Sequence, residues 1–191
     1  MELLLIRHGR PERVDFDPDG ANPGLTDLGH RQAAAMAKHL DGEPIKALYA
    51  SPQQRAIDTA APLSAKFGLE ATILDGLAEF DVEHTSYIPA EEAGPLTGPE
   101  LEALIAEVTS DHFTSRVRSA VDQIISAHQG ERVAAVCHGG VISLVLADIL
   151  GVDISTYFDS YYTSVTRIKA SQDGRRSMAT FNESHWLSDI T

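Results

Sequence analysis

The sequence predicts an α/β protein, a three-layer α/β/α sandwich built on a mostly parallel central sheet. Short apolar runs alternate with longer segments of helical periodicity along all 191 residues, as in a sheet covered by helices on both faces. The uninterrupted run from Arg132 to Cys137 is typical of a central strand. The length and the 43% share of hydrophobic residues favour one domain over residues 1–191, without linkers or repeats.

The predicted strands and helices follow one another in order. Strands are expected at residues 2–6, 45–50, 71–74, 132–137, 164–170 and 177–182. Helices are expected at residues 27–40, from Ser51 to about residue 67, at 100–128 and at 141–150. Thr26 is positioned to cap the first helix, and Ser51-Pro52 to open the second. Residues 75–99, which contain glycine, proline and mixed polar residues, are expected to form a substrate-side loop or lid.

Charge and cysteine content limit the classes of partner and the location. The 28 acidic and 15 basic side chains give a net charge of −13, which argues against nucleic acid and anionic membranes as partners. The first apolar run ends at Arg7 and is too short for a signal peptide or a membrane span. With Cys137 as its single cysteine, the chain is expected to be cytoplasmic. The sequence does not decide whether the chain forms a homodimer. Any anionic ligand requires locally clustered positive charge.

Chemically active side chains follow several of the predicted strands. Arg7 and His8 come directly after the first strand and His138 after the central one. Arg55 lies at the start of the second helix, and Glu79 lies in the 75–99 segment. Carboxyl ends of parallel strands meet at one edge of a sheet, where α/β proteins bind ligands. Guanidinium groups suit phosphate oxygens and lower the pKa of a nearby imidazole, which keeps it unprotonated and nucleophilic. The pattern therefore indicates phosphoryl transfer, with Glu79 placed to supply a proton.

These motifs together resemble the histidine phosphatase superfamily, which includes the cofactor-dependent phosphoglycerate mutases. Five segments appear in the family's order and extend over nearly the whole chain. They are LIRHG at 5–9, LTDLGHRQA at 25–33, SPQQRAIDTA at 51–60, LAE at 77–79 and CHGGVI at 137–142. The resemblance implies a phosphoglycerate mutase-like fold and a small phosphorylated metabolite as the substrate, with neither a metal nor a cofactor.

The resemblance also implies a role for each matching residue. His8 would be the nucleophile and become a phosphohistidine. Glu79 would act first as general acid and then as general base. The remaining matching residues would bind the phosphoryl oxygens: Arg7, Arg55 and His138, together with the backbone N–H of Gly139.

Two stretches depart from the family pattern. Val14 stands where many relatives have an asparagine that contacts the phosphate. That contact is expected either to be missing or to be provided otherwise, by Arg10, Arg13 or Asn22. After Glu79, the residues FDVEH replace the sequence that many relatives share. His84 in this stretch is a candidate to contact the leaving group, although a loop histidine is more commonly just exposed to solvent.

A phosphomonoester hydrolase is the leading interpretation, and two alternatives accompany it. A cofactor-dependent phosphoglycerate mutase comes second, because the segment between Glu79 and His138 is short for the insertion that shields the phosphoenzyme of mutases from water. A catalytically silent phosphate-binding regulatory module comes third, since all five core residues are present.

Overall fold

Six strands form one sheet in the computed structural model, which describes residues 1–89, 91–94, 97–155 and 157–190. They are β1 (Glu2–Arg7), β2 (Ile45–Ala50), β3 (Ala71–Ile73), β4 (Arg132–Cys137), β5 (Val165–Ala170) and β6 (Arg176–Glu183). The order across the sheet is β3-β2-β4-β1-β5-β6. The first four strands in this order are parallel, whereas β5 is antiparallel to β1 and β6 to β5. The predicted mostly parallel sheet is confirmed.

Helices cover both faces of this sheet. The α-helices are α1 (Asp27–His39), α2 (Gln54–Phe67), α3 (Pro99–Val108), α4 (Asp111–Ala127) and α5 (Gly139–Leu150). Side chains alternate between the two faces of a strand, so Leu4 and Ile6 of β1 pack with α1 and α2. Leu3 and Leu5 point the other way and pack with α4 and α5. Two apolar cores thus enclose the sheet, and the predicted three-layer sandwich is confirmed.

The prediction of a single helix over 100–128 is wrong, because the helical backbone is interrupted between α3 and α4. The Thr109 hydroxyl donates to the Ile105 carbonyl, 2.7 Å away, as α3 ends. The Ser110 hydroxyl then accepts from the Phe113 N–H at 3.3 Å and caps α4, with Asp111 in its first turn. A serine cap followed by an acidic residue is a strong helix start, and it divides an otherwise continuous apolar pattern.

The predicted start of the second helix at Ser51-Pro52 is also wrong. Helix α2 begins at Gln54, and the Ser51 hydroxyl lies 2.7 Å from His138 Nε2. The backbone N–H of Gln54 instead donates to Asn22 Oδ1, 2.8 Å away, in the loop that follows β1. A distant loop residue therefore supplies a cap that the local sequence does not. Similarly, α5 starts at Gly139, two residues before its predicted start.

Residues 75–99, the predicted lid, are joined to the loop that follows β1. Val14 and Tyr87 exchange two backbone hydrogen bonds, with N–O distances of 2.9 and 2.8 Å. The segment includes two short 3₁₀ helices, at Asp75–Leu77 and Phe80–Glu83, and a third lies at His185–Asp189. Residues 90, 95 and 96 lie outside the described part of the chain. None of the described helices combines the length and the apolar character needed to cross a bilayer.

The backbone of the loop that follows β1 packs directly against the backbone of α1. A Cβ at Gly9 would lie 2.7 Å from the carbonyl oxygen of Gly29, and a Cβ at Gly29 would collide with the carbonyl oxygen of Arg10. The Arg10 carbonyl also accepts from the Thr26 N–H at 3.0 Å, and the Arg10 N–H donates to Gln32 Oε1 at 2.9 Å. These contacts fix the position of the chain directly after the strand end.

We expect Gly29→Ala to destabilise the protein, although glycine inside a helix normally costs about 1 kcal/mol relative to alanine. Because the new methyl group meets backbone that cannot rotate away, the free energy of unfolding should fall by about 1 to 3 kcal/mol. Urea denaturation measures the change. Ala34→Gly, on the exposed face of α1, is the control for ordinary helix propensity. An increase in the free energy of unfolding of Gly29→Ala would contradict the close approach between the backbones of α1 and the loop.

Candidate active site

A cavity of about 380 Å³ lies at the carboxyl edge of the parallel strands. The sequence-predicted residues Arg7, His8, Arg55, Glu79 and Gly139 all line it. They arrive from the ends of β1 and β4, from the first turn of α2 and from the segment between the two 3₁₀ helices that follow β3. The topology therefore brings together residues that are up to 132 positions apart in the sequence, from Arg7 to Gly139.

His8 is buried and held in one tautomer. Its Nδ1 lies 2.8 Å from the Gly9 carbonyl oxygen, which can only accept a hydrogen bond. Nδ1 therefore carries the proton, and Nε2 keeps a free lone pair. Burial, followed by the charges of Arg55 and Arg7, holds the pKa of His8 well below its ordinary value. The ring is neutral near pH 7 and can act as a nucleophile through Nε2.

His138 lies beside His8, with 5.0 Å between the ring centroids. It is fully buried at the end of β4, and its Nε2 lies 2.7 Å from the Ser51 hydroxyl. Its Nδ1 has no partner within the described residues. Burial and the charge of Arg55 lower the pKa of His138.

The two arginines present unused N–H groups. Arg55 is 1% exposed, and its Nη2 lies 2.9 Å from both carboxylate oxygens of Asp81. Its Nε and Nη1, and the Nε of Arg7, are buried without a partner among the described residues. The Arg7 guanidinium also donates to the Ser160 carbonyl and lies over the Tyr162 ring, 4.5 Å from its centroid. Buried N–H groups without acceptors are costly, so these groups indicate an anion site.

Glu79 lines the same cavity as the two arginines. Its Oε2 accepts from the Gly140 N–H at 2.8 Å, and its Oε1 accepts from its own neighbour, the Phe80 N–H, at 3.3 Å. Burial, assisted by the charge of Asp81, raises the pKa of Glu79 to about 7. A Cβ at Gly140 would collide with the Glu79 carboxylate. The second glycine of His-Gly-Gly is therefore required by the position of Glu79.

The first glycine of this pair, Gly139, lies at the N-terminus of α5. N–H groups in the first turn of a helix have no partner inside the helix and attract anions. A Cβ at Gly139 would collide with the Tyr157 hydroxyl, which closes this side of the cavity. Gly139 therefore allows both the backbone and Tyr157 to approach the anion site.

The candidates for replacing the family asparagine lie outside the cavity lining. Asn22 caps α2 and is exposed, so the expectation that it contacts the phosphate finds no support in its position. Arg13 lies 2.7 Å from Asp15. Arg10 lines a neighbouring cavity and forms ion pairs with Glu91 and Glu92 at 2.8 and 2.9 Å.

His84, the remaining candidate, does line the catalytic cavity. It is partly exposed, and its Nε2 lies 3.1 Å from Glu107 Oε1 on α3. His84 therefore lines the same cavity as His8, and its side chain is already engaged by a carboxylate.

Two polar residues that sequence reasoning missed organise the site. Gln53 Oε1 accepts a hydrogen bond from the Glu79 N–H, and Gln53 Nε2 donates one to the Asp81 carboxylate. The donor–acceptor distance is 2.7 Å in each. Asp81 in turn binds Arg55. The signal for Asp81 was present, because it lies in the stretch after Glu79 that departs from the family pattern. Its pairing with Arg55 depends on tertiary structure and could not be inferred from spacing.

Several solved structures share this fold. A phosphoserine phosphatase from Entamoeba histolytica superposes with a TM-score of 0.77 at 20% identity, covering 97% of this chain and 98% of the other. A mycobacterial glucosyl-3-phosphoglycerate phosphatase, Rv2419c, also gives a TM-score of 0.77 at 20% identity, covering 96% of this chain and 99% of the other.

Sequence comparison identifies the family. The bifunctional protein Rv2228c of Mycobacterium tuberculosis is 32% identical over 97% of this chain and 54% of its own length, so the chain spans about half of that relative. A putative phosphoserine phosphatase 2 of Hydrogenobacter thermophilus is 24% identical over 94% of this chain and 93% of its own. The family model for the histidine phosphatase superfamily, branch 1, matches residues 3–183. This chain belongs to the histidine phosphatase superfamily.

Proposed function

We propose that this chain is a metal-independent phosphomonoester hydrolase that transfers the phosphoryl group of a small phosphorylated metabolite to His8. The observation that carries the proposal is the content of one cavity: a neutral imidazole, guanidinium N–H groups that have no acceptor among the described residues, and a carboxyl group with a pKa of about 7. Membership of the family supports it, as do relatives that are named phosphatases. The mutase alternative is not better supported, because the relatives named phosphatases share the same family.

In the first step, His8 Nε2 attacks phosphorus and the bond from phosphorus to the leaving oxygen breaks. Arg7, Arg55, His138 and the Gly139 N–H bind the phosphoryl oxygens, where negative charge accumulates in the transition state. The Glu79 carboxyl donates its proton to the leaving oxygen, so the leaving group departs as a neutral alcohol. The products of this step are phosphohistidine and the Glu79 carboxylate.

In the second step, water attacks phosphorus and the bond to Nε2 breaks. The Glu79 carboxylate takes a proton from the attacking water, which returns the carboxyl group to its starting state. Inorganic phosphate then leaves and His8 is neutral again. A pKa close to 7 suits both steps, because the group must give a proton in one and accept it in the other.

The surroundings of the site are part of the proposal. We propose one domain over residues 1–191, in which residues 75–99 act as the substrate-side lid. Buried Cys137 and the absence of a cysteine partner are compatible with the cytoplasmic location that we propose.

His8→Ala should abolish phosphatase activity, with a loss of at least about a thousandfold in kcat, because the nucleophile is removed. A panel of phosphomonoesters, assayed with EDTA present, measures the loss. His30→Ala, the same substitution on the exposed face of α1, should keep the activity of the unaltered protein. If His8→Ala kept most of the kcat of the unaltered protein, the proposed mechanism would be contradicted.

The pH profile of kcat/KM should fall as pH rises through about 7, because Glu79 must be protonated to release a poor leaving group such as benzyl alcohol. Protonation of His8 should contribute to the acid limb only well below pH 6.5. Glu79→Gln should lower kcat/KM for benzyl phosphate by a factor of about 10² to 10⁴ and should remove the alkaline limb.

An ester with a good leaving group distinguishes the loss of the general acid from nonspecific damage to the active site. 4-Nitrophenol leaves without protonation, so Glu79→Gln should lower kcat/KM for 4-nitrophenyl phosphate much less than for benzyl phosphate. The ionisation of the substrate itself, near pH 6, is the same for both proteins and serves as an internal reference. Equal losses for the two esters would show that Glu79 is not the general acid.

A further inference from the structure

The catalytic cavity is lined by two kinds of side chain. Arg7, His8 and Arg55 form the anion site. Most of the remaining lining, which would surround the leaving group, is apolar or aromatic: Phe80, Tyr87, Ile88, Ala93, Leu104 and Tyr157. The polar side chains in this remainder are those of Glu79, Asp81, His84 and Ser86.

Tyr87 illustrates how the aromatic side chains are held. The Arg55 guanidinium lies 4.6 Å from the centroid of the Tyr87 ring, so one face of the ring is fixed against a buried cation. Backbone hydrogen bonds to Val14 hold the same residue in place. A rigid aromatic ring directly beside the anion site favours contact with hydrocarbon or another ring.

A carboxylate already engages His84, the imidazole in this part of the lining. His84 Nε2 lies 3.1 Å from Glu107 Oε1. Outside the lining, Arg10 is bound by Glu91 and Glu92. A leaving group with its own carboxylate would have to compete with Glu107 for His84, and like charges brought together at a binding site are strongly unfavourable.

A second cavity, of about 690 Å³, lies on the other side of Glu79 and shares the side chains of Glu79, Phe80 and His84 with the first. Arg116 lines this second cavity, and its guanidinium group donates hydrogen bonds to backbone carbonyls. Arg116 Nη1 donates to the carbonyls of Asp75 and Ala78 at 2.8 and 3.0 Å, and Nη2 donates to that of Glu79 at 3.4 Å. This cavity adds space for a larger leaving group, and its arginine is occupied in holding Glu79.

We propose that the site selects phosphomonoesters with an uncharged, mainly aromatic or aliphatic leaving group, and that Glu107, which is bound to His84 of the cavity lining, disfavours leaving groups that carry a carboxylate. This inference rests on the proposed phosphatase function. It differs from what the names of several relatives suggest, since the leaving group of phosphoserine carries a carboxylate. Selection here acts through repulsion as well as through apolar contact.

The test compares two esters that differ in charge but not in size. 4-Carbamoylphenyl phosphate carries an amide where 4-carboxyphenyl phosphate carries a carboxylate. We expect kcat/KM to be at least about tenfold higher for the amide with the unaltered protein. Phenyl phosphate should also be hydrolysed faster than O-phosphoserine.

Glu107→Gln tests the source of the discrimination. It should raise kcat/KM for the carboxylate ester relative to the amide several-fold, because it removes a repelling charge and releases His84. Glu70→Gln removes the same charge next to the amino end of β3, at the opposite edge of the sheet, and should leave the ratio unchanged.

The outcomes separate this inference from the proposed function. Equal or faster hydrolysis of the carboxylate ester by the unaltered protein would overturn the specificity while leaving the phosphatase intact. An unchanged ratio in Glu107→Gln would overturn the assigned source of the repulsion. Failure to hydrolyse any ester of the panel, or full activity of His8→Ala, would instead contradict the proposed function.

Discussion

The buried Arg55 guanidinium is the group on which the rest of the site depends. A cation removed from water requires partners, and Asp81 supplies them for one nitrogen only, through two contacts of 2.9 Å. The remaining Nε and Nη1 lack acceptors among the described residues. Bound phosphate would satisfy both, so the cost of burying Arg55 in the free protein becomes affinity for a phosphoryl group.

The same arrangement sets opposite protonation states for His8, the proposed nucleophile, and Glu79, the proposed acid. Burial disfavours charge on every group in the cavity, so it lowers the pKa of His8 and raises that of Glu79. Arg55 lowers the pKa of His8 further, while Asp81 adds to the rise at Glu79. Asp81 therefore links the anion site to the proposed proton donor, and Gln53 connects the Asp81 carboxylate to the backbone N–H of Glu79 through hydrogen bonds.

Much of the fold could be predicted because its signals are local. The buried β4 sequence and the motifs that follow β1 and β4 identify the sheet and place His8 and His138 at one edge. What escaped prediction depends on contacts between distant segments. Asn22 caps α2 across 32 positions. Likewise, Arg10 looks like a phosphate ligand in sequence, yet acidic residues far along the chain bind it in the structure.

The stereochemical course at phosphorus tests the central claim most directly, because it does not require the intermediate to accumulate. The measurement is made with a phosphorothioate monoester whose two non-bridging oxygens are different isotopes. It is hydrolysed in water that carries the third stable oxygen isotope, so that the thiophosphate product is chiral at phosphorus. Each in-line displacement inverts the configuration. Transfer through His8 therefore predicts overall retention in the thiophosphate product. Overall inversion would mean that water attacks the substrate directly, and it would contradict the phosphohistidine mechanism.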